Sequence, residues 1–222
     1  GKEYTLAKHG YARFKTFTVE SQSDDSAVFL STEDEETLTM FPFRYELRVE
    51  YRLSGSSLEI AYRVNNNSDE TMYFSIGSHE GYATPEGIED YDVIFPEKET
   101  LSARLLNGNL LGDQYVPVLK DSNVLPLYDK YFTVDALVFT TLQSRSATLR
   151  NRKTGKAIRV DFPGKDYFLL WHKHGAGFIC MEPWTGIPDT IHSTGEITEK
   201  ETITALNAGE EFYRAHTLTV VE

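Results

Sequence analysis

Residues 45–64 constrain the fold more than any other stretch. Tyr45-Glu46-Leu47-Arg48-Val49-Glu50-Tyr51-Arg52-Leu53 alternates apolar and charged side chains, so Tyr45, Leu47, Val49, Tyr51 and Leu53 share one face. A period of two belongs to an extended strand, whereas a helix repeats every 3.6 residues. Ser54-Gly55-Ser56-Ser57 reads as a turn, and Leu58, Ile60, Tyr62 and Val64 resume the alternation. The pattern predicts an antiparallel hairpin with one wet face and one buried face. Strand patterns return at 71–76, 91–95, 136–139, 147–151, 157–162, 167–171, 202–206 and 215–221. Turn residues separate them, with 151–156 as a loop between two strands. No segment sustains a long helical apolar period, so helices should be few and short. The acidic run 33–36 reads as a solvated loop. The fold class expected is all-β, an antiparallel sandwich, as a single domain over residues 1–222.

Charge narrows the partners. The chain of 222 residues has a net charge of -12, which argues against nucleic acid and anionic membranes, since both require clustered Lys and Arg. No apolar run approaches the length needed to span a bilayer, and no secretory signal opens the sequence. The partner expected is a small molecule or another protein, and a neutral polar ligand suits this balance better than a polyanion. The lone cysteine, Cys180, rules out a disulfide within the chain. It lies in an apolar run and reads as a buried packing residue. A cytoplasmic location follows as an expectation.

Two phrases place an ionisable group at the end of an apolar strand. The first is Ser75-Ile76-Gly77-Ser78-His79-Glu80-Gly81-Tyr82; the second is Phe178-Ile179-Cys180-Met181-Glu182-Pro183-Trp184-Thr185-Gly186. Delivered to one cleft, His79 and Glu182 would make a general acid/base pair. The competing readings are a turn-capping histidine and a glutamate paired with arginine. Apolar neighbours would raise the Glu182 pKa toward neutrality. Trp184 offers a flat apolar surface for a sugar face, or ordinary core packing. In His9-Gly10-Tyr11-Ala12-Arg13, His9 and Arg13 could bond several hydroxyls, or simply form a surface turn. Asp135, at the mouth of an apolar strand, reads as a hydroxyl acceptor or a turn cap. His172 and His174 fall on one face and could bind metal, although an exposed strand end is the favoured reading. The six histidines show no HExxH spacing and no Cys/His cluster, so no metal site is expected.

Taken in order, these phrases resemble the galactose mutarotase-like superfamily, in the aldose 1-epimerase branch that includes the LacX proteins. The resemblance also takes in Phe41-Pro42-Phe43-Arg44-Tyr45-Glu46-Leu47, Val134-Asp135-Ala136-Leu137, Phe162-Pro163 and Gly209-Glu210, and it runs nearly the length of the chain. It implies a β-sandwich of the supersandwich type. It also implies interconversion of the α and β anomers of a free hexose, without cofactor. By this resemblance His79 is the general acid at the ring oxygen and Glu182 the general base at the anomeric hydroxyl. By the same resemblance His9 lies near the ring oxygen and hydroxyls and Asp135 holds sugar hydroxyls, while Arg13 and Trp184 are candidates for sugar contact from the residue reading alone. Two departures stand out. Glu80 occupies a position where the branch usually has proline, and a carboxylate there would raise the His79 pKa and hinder cycling. The sequence also begins several tens of residues into the family pattern. This is consistent with a fragment or with a shortened homologue; in a shortened homologue a sheet edge would be open to pairing with another chain, as in a homodimer. Two alternative functions remain at this point. One is a hexose-6-phosphate epimerase, with Arg13, Arg44 and Lys173 as phosphate candidates. The other is a sugar-binding module that has lost catalysis.

Overall fold

The computed structural model describes residues 1–164 and 167–221. Two compact units make up the chain: Gly1–Phe74 with Ala205–Ala215, and Ser75–Thr204 with His216–Glu222.

In the first unit, strands β1 (Thr18–Gln22), β2 (Ser26–Thr32), β3 (Tyr45–Ser54) and β4 (Ser57–Asn66) form an antiparallel meander. The expected hairpin is β3–β4, in register from Tyr45↔Asn66 to Ser54↔Ser57. Its turn carries Gly55 at φ 58°, in the left-handed region that glycine enters without steric cost. The expected clean division into wet and buried faces is not found. Tyr45 is buried, but Tyr51 and Leu53 are exposed, and Phe17, Phe29, Val49 and Tyr51 line an open apolar groove. The charged face is also tied down: Arg48 bonds Glu20 and Glu46, each at 2.8 Å. Strand β1, Thr-Val-Glu-Ser-Gln, is exposed throughout and has no apolar face to alternate, so periodicity does not mark it.

The acidic run 33–36 is a loop only in its first half, since Glu35 and Glu36 open a helix. Asp34 caps a six-residue helix, α1 (Glu35–Met40), accepting from the Thr37 amide at 2.8 Å while Thr37 Oγ1 accepts from the Asp34 amide at 2.8 Å. This reciprocal capping box uses the amides that a helix start leaves unpaired, and acidic residues there suit the helix dipole. The unit closes with β5 (Met72–Phe74) beside β14 (Thr204–Leu206) and the first half of β15 (Glu211–Val221). Asn66 is fully buried and saturated. Its amide donates to the Glu70 and Leu206 carbonyls at 2.8 Å each, and its oxygen accepts from the Ser68 amide at 2.9 Å.

The second unit contains β6 (Gly81–Ala83), β7 (Tyr91–Asn107), β8 (Leu110–Pro126), β9 (Leu137–Phe139), β10 (Ser146–Asn151), β11 (Ala157–Asp161), β12 (Tyr167–Trp171) and β13 (Phe178–Trp184). The spatial order is β11-β10-β7-β9-β12-β13-β6, with β8 also on β7 and the end of β15 on β11. The short strand expected at 91–95 is the start of a 17-residue strand that bulges repeatedly along β8. Bulges break strict alternation, which hides such a hairpin from a search for period two. Phe95, Phe139, Phe162, Phe168, Leu170, Ile179 and Met181 are buried in its main core. Glu99, 1% exposed, anchors β7: the Ser144 amide and hydroxyl both donate to it at 2.7 Å.

Candidate active site

Strand β13 divides its residues by parity. Ile179 and Met181 enter the main core, while Trp184 packs with Leu169 and Trp171 on the opposite face. Successive side chains alternate across a sheet, so Cys180 and Glu182 share the face of Trp184. The segment 76–78 runs beside the end of this strand. Gly77 bridges Trp184, and the Thr185 amide and hydroxyl donate to the Ile76 carbonyl at 2.9 Å each. The Ile76 amide donates to Thr185 Oγ1 at 3.0 Å, and the Trp184 indole donates to the Ser78 carbonyl at 2.6 Å.

This zipper explains the glycines in both phrases. A Cβ on Gly77 would lie 2.2 Å from Trp184 Cδ1, and one on Gly186 would lie 2.5 Å from Ser75 Oγ. Only hydrogen fits at either position.

The zipper delivers His79 to Glu182, with Nδ1 3.5 Å from Oε1. The glutamate side chain is 2% exposed and the histidine 42%. One group is therefore held in the protein interior while its partner meets solvent. Trp171 stands edge-on to the His79 ring at 6.0 Å and Trp184 is tilted at 6.4 Å. Trp171 was missed in the sequence, although its signal was there: it ends a predicted strand on the same parity as Leu169.

Glu80 turns to His216 instead of extending the site, with Oε1 3.4 Å from Nε2. Burial pushes the Glu80 carboxyl up, but its bonds and charge contact with His216, helped by its own backbone and Ser78, outweigh this and hold it below the usual range. Cys180 is buried, as expected. Burial, with the nearby charges of Glu182 and Glu80, pushes its thiol up to about 12, far from a reactive thiolate. Spacing alone showed no metal ligands, yet the fold gathers His79, Cys180 and Glu182 with donor atoms within 4.8 Å of one another. The ligand types come from two separate phrases, so no local motif reveals them.

The other candidates fall elsewhere. Asp135 precedes β9, which is separated from β13 by β12. Its φ of 75° is a conformation that a residue with a Cβ rarely adopts, and such strain clusters at functional positions. His9 belongs to the first unit, where it is exposed in a turn at φ 67°, and Arg13 lies over the Phe14 ring at 4.5 Å. Among the phosphate candidates, Arg44 pairs with Asp69. The expectation of an exposed strand end at His172 is corrected: it is 3% exposed, with Nδ1 2.6 Å from the Phe178 carbonyl and Nε2 3.1 Å from Asp129. Its partner His174 is exposed and also contacts Asp129.

Solved structures of the same fold are antiparallel β-sandwiches of the galactose mutarotase type, which is the fold class expected. A galactose mutarotase related enzyme from Lactobacillus acidophilus superposes with a TM-score of 0.90 at 32% identity, over 100% of this chain and 76% of that one. A galactose mutarotase-like protein from Lactobacillus casei gives 0.89 at 27% identity, over 99% and 78%. The sequence model of the aldose 1-epimerase family matches residues 1–205. The chromosomal LacX protein of Lactococcus lactis is 31% identical over 97% of this chain and 75% of its own length. The chain belongs to the aldose 1-epimerase family, and its function is of the carbohydrate epimerase type.

Proposed function

We propose that the protein is an aldose 1-epimerase that opens and recloses the ring of a free hexose, with Glu182 as general base and His79 as general acid. The observation that carries this reading is the 3.5 Å approach of His79 Nδ1 to Glu182 Oε1 between two tryptophans. The chemistry suits the spacing. Ring opening takes a proton from the C1 hydroxyl and gives one to the ring oxygen. Both oxygens are bonded to the same carbon, so the acid and the base must reach positions one atom apart. Closure on the other face reverses the two transfers, and no net proton is consumed. The indole faces supply apolar surface for the C–H side of a pyranose, as aromatic residues do in polar-ligand sites. Asp135 is proposed to hold sugar hydroxyls, supported by its strained backbone at a strand mouth.

The test is polarimetric mutarotation of freshly dissolved α-glucose and α-galactose, with wild type and Glu182→Gln side by side. Acceleration by wild type that falls at least ~100-fold in the variant is expected, given the usual worth of a general base. No acceleration of any common aldose, with sugar binding retained, would instead make the chain a binding module. A preference for the 6-phosphate would favour the phosphosugar reading.

A further inference from the structure

We propose that His79, Cys180 and Glu182 form a binding site for a thiophilic divalent cation of the Zn2+ class, and that the cation blocks the sugar site when bound. A ring nitrogen, a sulfur and a carboxylate oxygen lie within 4.8 Å of one another. This is a donor set of the kind zinc uses, and three protein ligands with one open position is the arrangement of an accessible zinc site. The spacing is close to what the ion needs. With bonds of about 2.0–2.3 Å, the edges of a tetrahedral site are about 3.3–3.8 Å long. The histidine-to-glutamate separation of 3.5 Å already falls in that range. The remaining separations exceed it by at most about 1 Å, within reach of rotation about the Glu182 and His79 side-chain bonds.

The surroundings favour a cation. Two carboxyl groups, Glu182 and Glu80, stand near Cys180 and suit a cation better than an anion. Cys180 is held in the strand and buried, while His79 faces solvent and gives the ion its way in. Binding is a ligand exchange without redox change. The Cys180 thiol releases its proton to solvent, the zinc–sulfur bond forms, and water keeps the fourth position. The consequence for turnover rests on the epimerase reading: once His79 and Glu182 donate their lone pairs to the ion, neither can move a proton.

The test separates binding from turnover. Protein stripped with a chelator is titrated with Cd2+, and the thiolate-to-cadmium absorption in the ultraviolet is followed. Zn2+ affinity is measured by calorimetry. The expected result is a band saturating at one Cd2+ per chain, abolished in Cys180→Ala and retained in His174→Ala. Zinc affinity should drop at least tenfold in Cys180→Ala and in Glu182→Gln. Absence of the band in wild type, or a zinc affinity unchanged in Cys180→Ala, would overturn the site. If Cys180→Ala fails to fold, displacement of Cd2+ from wild type by Zn2+ serves instead, and failure of Zn2+ to erase the band counts against the proposal. The band needs no catalysis, so a chain that binds cadmium but never accelerates mutarotation refutes the epimerase reading and leaves the metal site standing. In an active chain, saturating Zn2+ should remove mutarotation and a chelator should restore it; activity persisting in zinc-saturated protein would refute the block.

Discussion

Replacing Gly77 with alanine tests whether the zipper between 76–78 and 183–185 positions the acid/base pair. The added Cβ would lie 2.2 Å from Trp184 Cδ1, 2.5 Å from Cγ and 2.9 Å from Cα. Carbon atoms pack best at about 3.5–4.0 Å, so the ring must retreat by roughly 1.3 Å. Rotating the indole cannot remove the clash, because the third contact is backbone. The two segments must therefore part by about 0.6 Å to reach van der Waals distance. The bond from the Ser78 amide to the Pro183 carbonyl is already 3.3 Å long and would break. Overpacking costs about 1–3 kcal/mol and a lost hydrogen bond about 1 kcal/mol, giving a total of about 2–4 kcal/mol. For a chain of this size that lowers Tm by about 5–15 °C. His79 lies two residues beyond Gly77 and Glu182 two before Trp184, so their 3.5 Å approach should widen and mutarotation should fall as well. Gly81→Ala is the control. Its Cβ meets only the Phe178 ring, at 3.2 Å, and should cost under ~1 kcal/mol because a side chain can give way. The assay is urea unfolding followed by tryptophan fluorescence, paired with polarimetry. A Gly77→Ala protein as stable and as active as wild type would refute the reasoning.

Asn66→Ala should destabilise the first unit by about 1–3 kcal/mol, because the buried Leu206 carbonyl, the Glu70 carbonyl and the Ser68 amide lose their partner; unfolding with unchanged midpoint would contradict this. Glu20 and Glu211 have carboxyls held below their ordinary range by bonds to Arg48 and Arg63. A lowered carboxylate stabilises above its unfolded pKa and loses that contribution as pH falls through its folded value. Denaturation midpoints should therefore drop between neutral pH and about pH 3, and less so in high salt because these groups are exposed. A salt-independent profile would speak against these pairs. A double-mutant cycle of Glu80→Gln and His216→Gln should give a coupling of about 1–3 kcal/mol, since the two groups meet in the interior; additivity would rule out the pair. In metal-free protein, Cys180 should react with a bulky thiol reagent at pH 8 only as fast as the chain unfolds, because the side chain is buried; prompt labelling would show that it is open to large molecules as well as to ions.

What was legible in the sequence follows from periodicity. The β3–β4 hairpin and strands β10 and β11 are legible nearly to the residue because each has an apolar face that repeats every second position, and β12 because it is a short continuous apolar run. Strand β1 was invisible because hydrogen bonding to β2, not an apolar face, makes it a strand. The length of β7 and β8 was hidden by their bulges. Helix α1 reads as a loop in the sequence because its start signal is the reciprocal contact of Asp34 and Thr37, not an apolar stripe. At the site, the two phrases and the approach of His79 to Glu182 were anticipated. The His216 partner of Glu80 was not, since 136 residues separate them and neither phrase names the other. Trp171 and the gathering of Cys180 with its two neighbours likewise depend on β12, β13 and the segment before β6 lying side by side.

The first unit is assembled from two pieces of chain, Gly1–Phe74 and Ala205–Ala215. On a ribosome its opening strands emerge some 130 residues before the segment that supplies the carbonyl of Leu206 to Asn66 and Glu211 to Arg63. During that interval the buried amide of Asn66 lacks one acceptor, and the meander waits with a strand's worth of backbone bonds unmade. Synthesis at about 5–20 residues per second makes the delay roughly 7–26 s, long compared with the collapse of a small chain. The nascent protein must hold an incomplete sheet for that time. Slowing translation between the two pieces should lower the yield of native protein more than slowing it elsewhere.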